Sequence, residues 1–265
     1  MRVAAERGAG GGIVTLLDVS HLPFIALTQG EGDLDIPVHE LRVRDDGWLA
    51  YRAETAFDRC PGMDVLLART TGSTPSGAVN GGALSPYRQS HCMVERRCQG
   101  CGRPAARGPR GVLFVLAATR RDGRPSGKAG FTDMPPSCAR CALSHCPVLD
   151  KQGRHTVWAR EADVSAVYGH VLLPPSAAPG LPISDERLVF LDDEKTLSAT
   201  VATRFACDLQ AVTDADEEEI RAMADASART GHEGNTSTTA PGRTEMSMFA
   251  GARPGRACDP KRRLR

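Results

Sequence analysis

The sequence predicts an α+β protein, a small mixed β-structure with a C-terminal helix and a disordered tail. Three observations carry that prediction. Apolar runs of strand length recur between turn signals from about residue 36 to residue 192. Two pairs of cysteines, each with two residues between them, sit in the middle of the chain. Beyond about residue 214 the apolar pattern fades.

Taken in order, residues 1–20 contain the glycine run GAGGG and no core pattern, and they read as a flexible extension. In ELRVRDDGWLAYRAE, Leu41 and Val43 alternate with polar neighbours. The chain then turns at Asp46-Gly47 and continues through Trp48 and Ala50, which is a hairpin signal. MDVLLART (63–70) offers a third strand, and TTGSTPSGAVNGGALS (70–85) reads as a long loop. Ser85 followed by Pro86 is the N-cap and N1 signature of a short helix over 85–97. GVLFVLAAT (111–119) reads as a strand, with a turn at Asp122-Gly123 toward a less certain return strand. PPSCARCALSHCP (135–147) predicts a short helix capped by Ser137 and stopped by Pro147.

Strands follow over 164–174 and 187–192. DEKTLSATVATRFACDL (193–209) is predicted as a helix, because Leu197, Val201 and Phe205 fall at i, i+4 and i+8. DADEEE (214–219) begins a short acidic helix. The remainder has no period and few large apolar residues to offset the entropy of ordering. Residues from about 228 onward are expected to be dispensable, and limited proteolysis should trim them from a stable core. The chain thus divides into an extension (1–20), an α+β domain (21–212) enclosing a cysteine module (86–150), and a region of acidic helix and disordered basic tail (213–265).

Bulk composition excludes several function classes. The net charge of +1 sets up no global field toward nucleic acid or membrane. Only four of the 33 basic residues are lysine. The arginine excess therefore reads as the usage of a GC-rich genome before it reads as recognition. The N-terminal apolar run is interrupted by Asp18, His21 and Pro23. It resembles no signal peptide and is too short and polar to span a bilayer, so a cytoplasmic protein with no membrane partner is expected.

The cysteines are the strongest signal. Cys98-x2-Cys101 and Cys138-x2-Cys141 are separated by 36 residues. Zinc is held about 2.3 Å from each sulfur, and a tight turn with two intervening residues brings two thiolates to that reach. Gly102 allows a knuckle turn that a Cβ would hinder. Cys138 and Cys141 fall at i and i+3 on one face at a helix start, where the helix end favours thiolate charge. Knuckle, hairpin and then helix is the treble-clef order, and a closed shell of four thiolates makes a structural zinc the expected cofactor. An iron–sulfur cluster uses the same four residue types. Cys146 lies eight residues past Cys138, about 12 Å along a regular helix, too far to share the ion. His91 and Cys92 are weaker substitutes as ligands. Cys60, Cys207 and Cys258 have no partner at ligand spacing.

The segments CQGCGRPA, GVLFVLA and PPSCARCALSHCPVL, in this order, resemble an uncharacterised family of actinobacterial proteins. That family carries a C-x-x-C-G-x-P-A knuckle, an apolar strand and a P-P-x-C-x-x-C-A segment ending in C-P. The likeness is clearest over 86–150 and extends over about 22–210. It implies Cys98, Cys101, Cys138 and Cys141 as ligands and makes Cys146 part of the pattern. It implies no activity.

Between Arg88 and Cys146 there are eleven Lys/Arg and three Asp/Glu, a formal 11 − 3 = +8. Arg96, Arg97, Arg120 and Arg121 are accordingly the candidate phosphate contacts of a nonspecific nucleic-acid binder. The ordinary reading is that these arginines offset thiolate charge and solvate the surface, since no aromatic residues interleave them. A nuclease of treble-clef type is disfavoured: no histidine lies between the cysteine pairs and no Asp-His dipeptide occurs. Phosphate loops, dinucleotide fingerprints, G-x-S-x-G and H-E-x-x-H are absent. His170 reads as a structural histidine, and Asp192, Asp193 and Glu194 as capping residues. The expectation is a zinc-binding module that binds or regulates an unknown protein partner. Nucleic-acid binding is the first alternative, and an enzyme with an unmarked site is the second.

Overall fold

The computed structural model describes residues 23–117, 131–144, 153–173 and 183–230. The predicted extension, the Asp122-Gly123 turn, Pro147 and the tail beyond residue 230 lie outside the described residues.

The protein is α+β: mixed sheets with few helices. In the N-terminal third, β1 (Ala26–Thr28), β2 (Leu34–Asp35), β3 (Leu41–Val43), β4 (Leu49–Tyr51), β5 (Leu66–Leu67), β6 (Arg69–Thr70) and β7 (Val79–Leu84) are short. The predicted hairpin is present: β3 pairs with β4, Val43 opposite Leu49. The strand expected over 63–70 is divided into β5 and β6, which serve different sheets. The expected loop over 70–85 contains β7, which pairs antiparallel with β1. Its glycine-rich composition hid a strand whose backbone hydrogen bonds need no large side chain.

Helix α1 (Pro86–Val94) starts where expected, with the Ser85 side chain accepting from the Arg88 N–H. It leads into the main sheet, built from β8 (Arg107–Gly108), β9 (Gly111–Ala117), β10 (Phe131–Thr132), β11 (Arg154–Val171), β12 (Arg187–Phe190) and β13 (Thr200–Asp214). The strand order is β10-β13-β11-β9-β8, with β12 also paired to β11, and β5 paired parallel to β13. The strand expected at 164–174 is the second half of the 18-residue β11.

The helix expected over 193–209 is the principal correction. Only α3 (Glu194–Leu197) is helical, and β13 takes over from Thr200. Spacings of four are even numbers, so Val201 and Phe205 share a face of a strand as readily as of a helix. The β-branched and aromatic content of TVATRF favours the strand, and β13 is buried on both faces through much of its length. The acidic start at 214–219 leads into α4 (Glu217–Thr230), a 14-residue helix. Ala228 and Arg229 in its last turn are exposed.

Both faces of the sheet are covered, which is why GVLFVLA is apolar without alternation. Phe114 and Leu116 of β9 join Val157, Ala159, Phe205 and Met93 of α1 in one core. Leu113 and Val115 point the other way, to Trp158, Ala139, Ala142 and Ile220 of α4. Gln89 of α1 is fully buried and clamps three segments. Its side chain donates to the Asp133 carbonyl (2.6 Å) and accepts from the Phe205 N–H (2.8 Å).

Two buried carboxylates predict acid lability. Burial works against the charge of Glu31 and of Asp58, but Arg88 with Thr28, and Arg69 with Thr55, outweigh it and hold both below the usual carboxylate range. A depressed folded-state pKa contributes stability above the unfolded value and loses it as pH falls through the folded value. Unfolding midpoints in denaturant are therefore expected to hold from neutral pH to about 5. They should then drop below about pH 4, where unfolded carboxylates take up protons. A midpoint flat from pH 6 to 3 would contradict this role.

Candidate metal centre

The first cysteine pair hangs from the end of α1. Arg96 adopts a left-handed backbone (φ 56°) that turns the chain into the knuckle. The Cys98 N–H donates to the Arg103 carbonyl (2.7 Å) and the Gly102 N–H to the Cys98 carbonyl (2.8 Å), closing the loop on itself. The Gly100 N–H then points at the Cys98 sulfur, 3.3 Å away. Gly102 sits at φ +68°, as a turn of this kind requires, and its face packs on the Phe24 ring. The segment before β1 covers the knuckle: Phe24 N–H donates to the Gly100 carbonyl (3.1 Å) and Ile25 N–H to the Gln99 carbonyl (3.3 Å).

The second pair is carried by α2 (Ala139–Ala142), a single turn. Its cap is Cys138, whose sulfur accepts from the Cys141 N–H (3.4 Å), and not the expected Ser137. Ser137 is buried and instead donates to the Cys138 carbonyl (3.2 Å), with its hydroxyl 3.9 Å from the Cys98 sulfur. The helix expected over 135–147 is thus shorter at its start, because Pro135 and Pro136 run extended beside β9. The Phe114–Pro136 bridge and the Ser137 N–H to Leu113 carbonyl bond (2.8 Å) fix them there. Between the pairs, β9 makes its tight hairpin with β8 upstream, Gly108 opposite Gly111, and β10 pairs with β13 rather than returning along β9.

These elements bring Cys98, Cys101, Cys138 and Cys141 together, with all four sulfurs within 4.8 Å of one another. The Cys101 and Cys138 sulfurs are 3.8 Å apart. Four ligands about 2.3 Å from a tetrahedral ion are separated by ~3.8 Å, so the donor set has the size and chemistry of a thiolate metal site. Burial is graded: Cys98 is sealed (0% exposed), Cys138 and Cys141 are half-buried, and Cys101 is exposed.

Contact among the thiols splits their acidities. Hydrogen bonds, first from Cys101, pull Cys98 far down, and Cys138 brings Cys101 to about 7. Cys138 and Cys141 are pushed up, chiefly by Cys101. Ionising all four at these distances requires a cation among them.

Gly100 is a positioning residue that the sequence reading did not single out. A Cβ there would lie 2.9 Å from the Cys141 sulfur and 3.0 Å from its Cβ. Gly100→Ala is therefore expected to displace Cys141 and weaken metal retention about 10- to 100-fold, the range for a disturbed supporting shell. Competition with a chromogenic chelator measures it.

The remaining candidates fall elsewhere. Arg96 faces Asp163 (3.4 Å), and Arg97 pairs with Glu95 (2.7 Å) and donates to the Gly102 carbonyl. Arg120 and Arg121 lie outside the described residues, as do Cys146 and Cys258. His91 and Cys92 are not in the sulfur cluster: His91 stacks on Tyr87, and the Cys92 sulfur lies 3.7 Å from the Cys98 carbonyl. Burial raises the Cys60, Cys92 and Cys207 thiols to about 12, leaving them unreactive. His170 is structural, its Nδ1 2.8 Å from the Ser184 carbonyl, and Asp193 caps α3 through the Thr196 N–H. An open cleft of about 500 Å³ is lined by Asp46, Trp48, Asp193, Glu194 and Lys195 among others. Asp46 is tied there to Arg44 and Asp193 to the helix backbone.

Comparison with known proteins finds no matching family model, no matching curated protein and no matching solved structure. No helix among the described residues is long and apolar enough to cross a membrane. The site therefore defines the class that can be stated: a chain with a four-cysteine cluster able to hold a metal ion.

Proposed function

We propose that the protein is a zinc-binding module in which Cys98, Cys101, Cys138 and Cys141 hold one structural zinc in a treble-clef-like setting, and that it serves to bind or regulate a protein partner. The observation that carries this reading is the convergence of four sulfurs, from segments 36 residues apart in sequence, to within 4.8 Å. A four-thiolate shell leaves no open position for water, which favours a structural over a catalytic ion. The likeness of the knuckle and P-P-x-C-x-x-C segments to the actinobacterial family adds to the same reading. Elemental analysis of the purified protein tests it: about one zinc per chain is expected. Iron with visible charge-transfer absorption would assign a cluster instead, and no metal would end the proposal.

A second reading, nucleic-acid binding, is favoured by one observation. Arg103, Arg107 and Arg140 are exposed beside the knuckle, β8 and α2, and form no ion pair among the described residues. Together with the +8 module, they can meet phosphates. Binding would weaken steeply with salt and fall alike for all sequences when these arginines become serine. Absence of binding to duplex or single-stranded DNA or RNA at low salt ends this reading.

A further inference from the structure

We propose that the cysteine site is a peroxide-responsive latch for the C-terminal helix α4: oxidation of Cys101 with Cys138 expels the metal, dissolves α2 and releases α4. The inference rests on the metal reading above and extends it to regulation.

Three features combine. The first is graded access. Cys98 is sealed and Cys138 and Cys141 are half-covered, whereas Cys101 is exposed, so an oxidant in solution meets Cys101 first. The Cys138 sulfur lies 3.8 Å from it, across the site rather than within its own pair. Hydrogen peroxide converts the Cys101 thiolate to a sulfenic acid, the O–O bond breaking and one water leaving after protonation. The Cys138 thiolate then attacks that sulfur, a second water leaves, and a disulfide forms. Two thiolates, one peroxide and two protons give one disulfide and two waters, the sulfurs being oxidised and the peroxide oxygens reduced. The metal has then lost two of four ligands, one from each pair.

The second feature is the fragility of α2. It is one turn long, below the length at which a helix sustains itself, and its cap is the sulfur of Cys138. Drawing Cys138 into a disulfide removes both the cap and the metal that anchors the turn.

The third is what α2 supports. Ala139 and Ala142 of α2 are buried in the same small cluster as Ile220 of α4 and Trp158 of β11. Beside this cluster, Glu219 of α4 accepts from the Trp158 indole N–H (3.2 Å) and pairs with Arg110. Most of its other residues are exposed. Among the described residues the seat of Ile220 is Leu113, Val115, Trp158 and the two alanines of α2, and a helix anchored mainly there loosens when those alanines are withdrawn. The output is exposure of the α4 face bearing Ile220 and Met223.

The test uses the full chain carrying Trp48→Phe, which leaves Trp158 as the single indole. Zinc content is measured first; a protein without metal defeats the metal reading itself. The loaded protein is then exposed to hydrogen peroxide. The proposal expects about one zinc released per chain to a chromogenic chelator and a Cys101–Cys138 disulfide in peptide mass mapping. It also expects a red shift of Trp158 emission and proteolysis between Asp214 and Glu217 about tenfold faster. Dithiothreitol with added zinc should reverse all four. An Ile220→Ala variant should show the emission shift with zinc still bound, which separates the latch from its trigger. Zinc retained at peroxide levels that oxidise a free thiol overturns the trigger. Zinc lost with Trp158 emission and cleavage unchanged overturns the latch while leaving the metal reading intact.

Discussion

Replacing Cys98 with serine is expected to lower stability by several kcal/mol, the scale of losing a structural metal. Cys98 is the sealed member of the four, its backbone bonded to Gly102 and Arg103 across the knuckle, and it lies against buried Ser137. Serine offers a harder oxygen that resists deprotonation, and among the described residues the gap between the cysteine pairs holds short strands apart from β9. Metal binding therefore counts as folding energy for this stretch. Equilibrium denaturation in the presence of zinc, with and without a chelator, measures the loss. A chelator should destabilise the native protein and leave the Cys98→Ser variant nearly unchanged. Cys146→Ala should keep the metal, because the four clustered sulfurs suffice for a tetrahedral ion. If Cys146 loss frees zinc and Cys98 loss does not, the ligand set is wrong.

Trp158→Ala should cost about 3–5 kcal/mol, the range for truncating a fully buried large aromatic. Trp158 is 0% exposed and is the largest member of the small cluster that joins β9, α2 and α4. Its ring also faces the Arg110 guanidinium (5.6 Å) and its N–H satisfies Glu219. Trp158→Phe keeps an aromatic filler and loses that hydrogen bond, for about 1 kcal/mol. The ratio of the two effects, read from denaturant midpoints at unchanged slope, checks the assignment. Equal costs would mean that the hydrogen bond, and not packing, holds the cluster.

The candidate site was largely legible in the sequence because metal chemistry constrains spacing strongly. Two x2 pairs and a glycine after the first sufficed to name Cys98, Cys101, Cys138 and Cys141, and these sulfurs converge. The residues that hold them were not legible. Phe24 reaches the knuckle through backbone hydrogen bonds, which leave no trace in composition. Gly100 matters through a clash with a residue 41 positions away. The α+β class was legible, but β13 was read as a helix because a spacing of four residues suits both periods. The β-branched and aromatic content of TVATRF leaned toward the strand, and burial of Val201, Ala202 and Phe205 decides for it. The pair β1–β7 was missed for a similar reason: GGAL in β7 bonds through its backbone and offers few side chains to read.

The place of β13 in the sheet bears on the order in which a ribosome can deliver this fold. It is the last strand among the described residues, yet it lies inside the sheet between β10 and β11, and it is the strand on which β5 and β10 pair. The Leu66–Val201 pairing spans 135 positions, so β5 must wait while most of the chain is synthesised. Contacts of such separation slow folding, because a long loop closes before they return any stability. Knuckle and α2 emerge well before β13, whereas the wall formed by Phe205 and Leu209 comes after. Vectorial synthesis thus delivers the four-sulfur cluster first and an inner strand of the sheet last. A nascent chain arrested with residues up to 199 exposed should bind zinc yet remain protease-sensitive across β5 and β10. Extending it past residue 214 should confer resistance in one step.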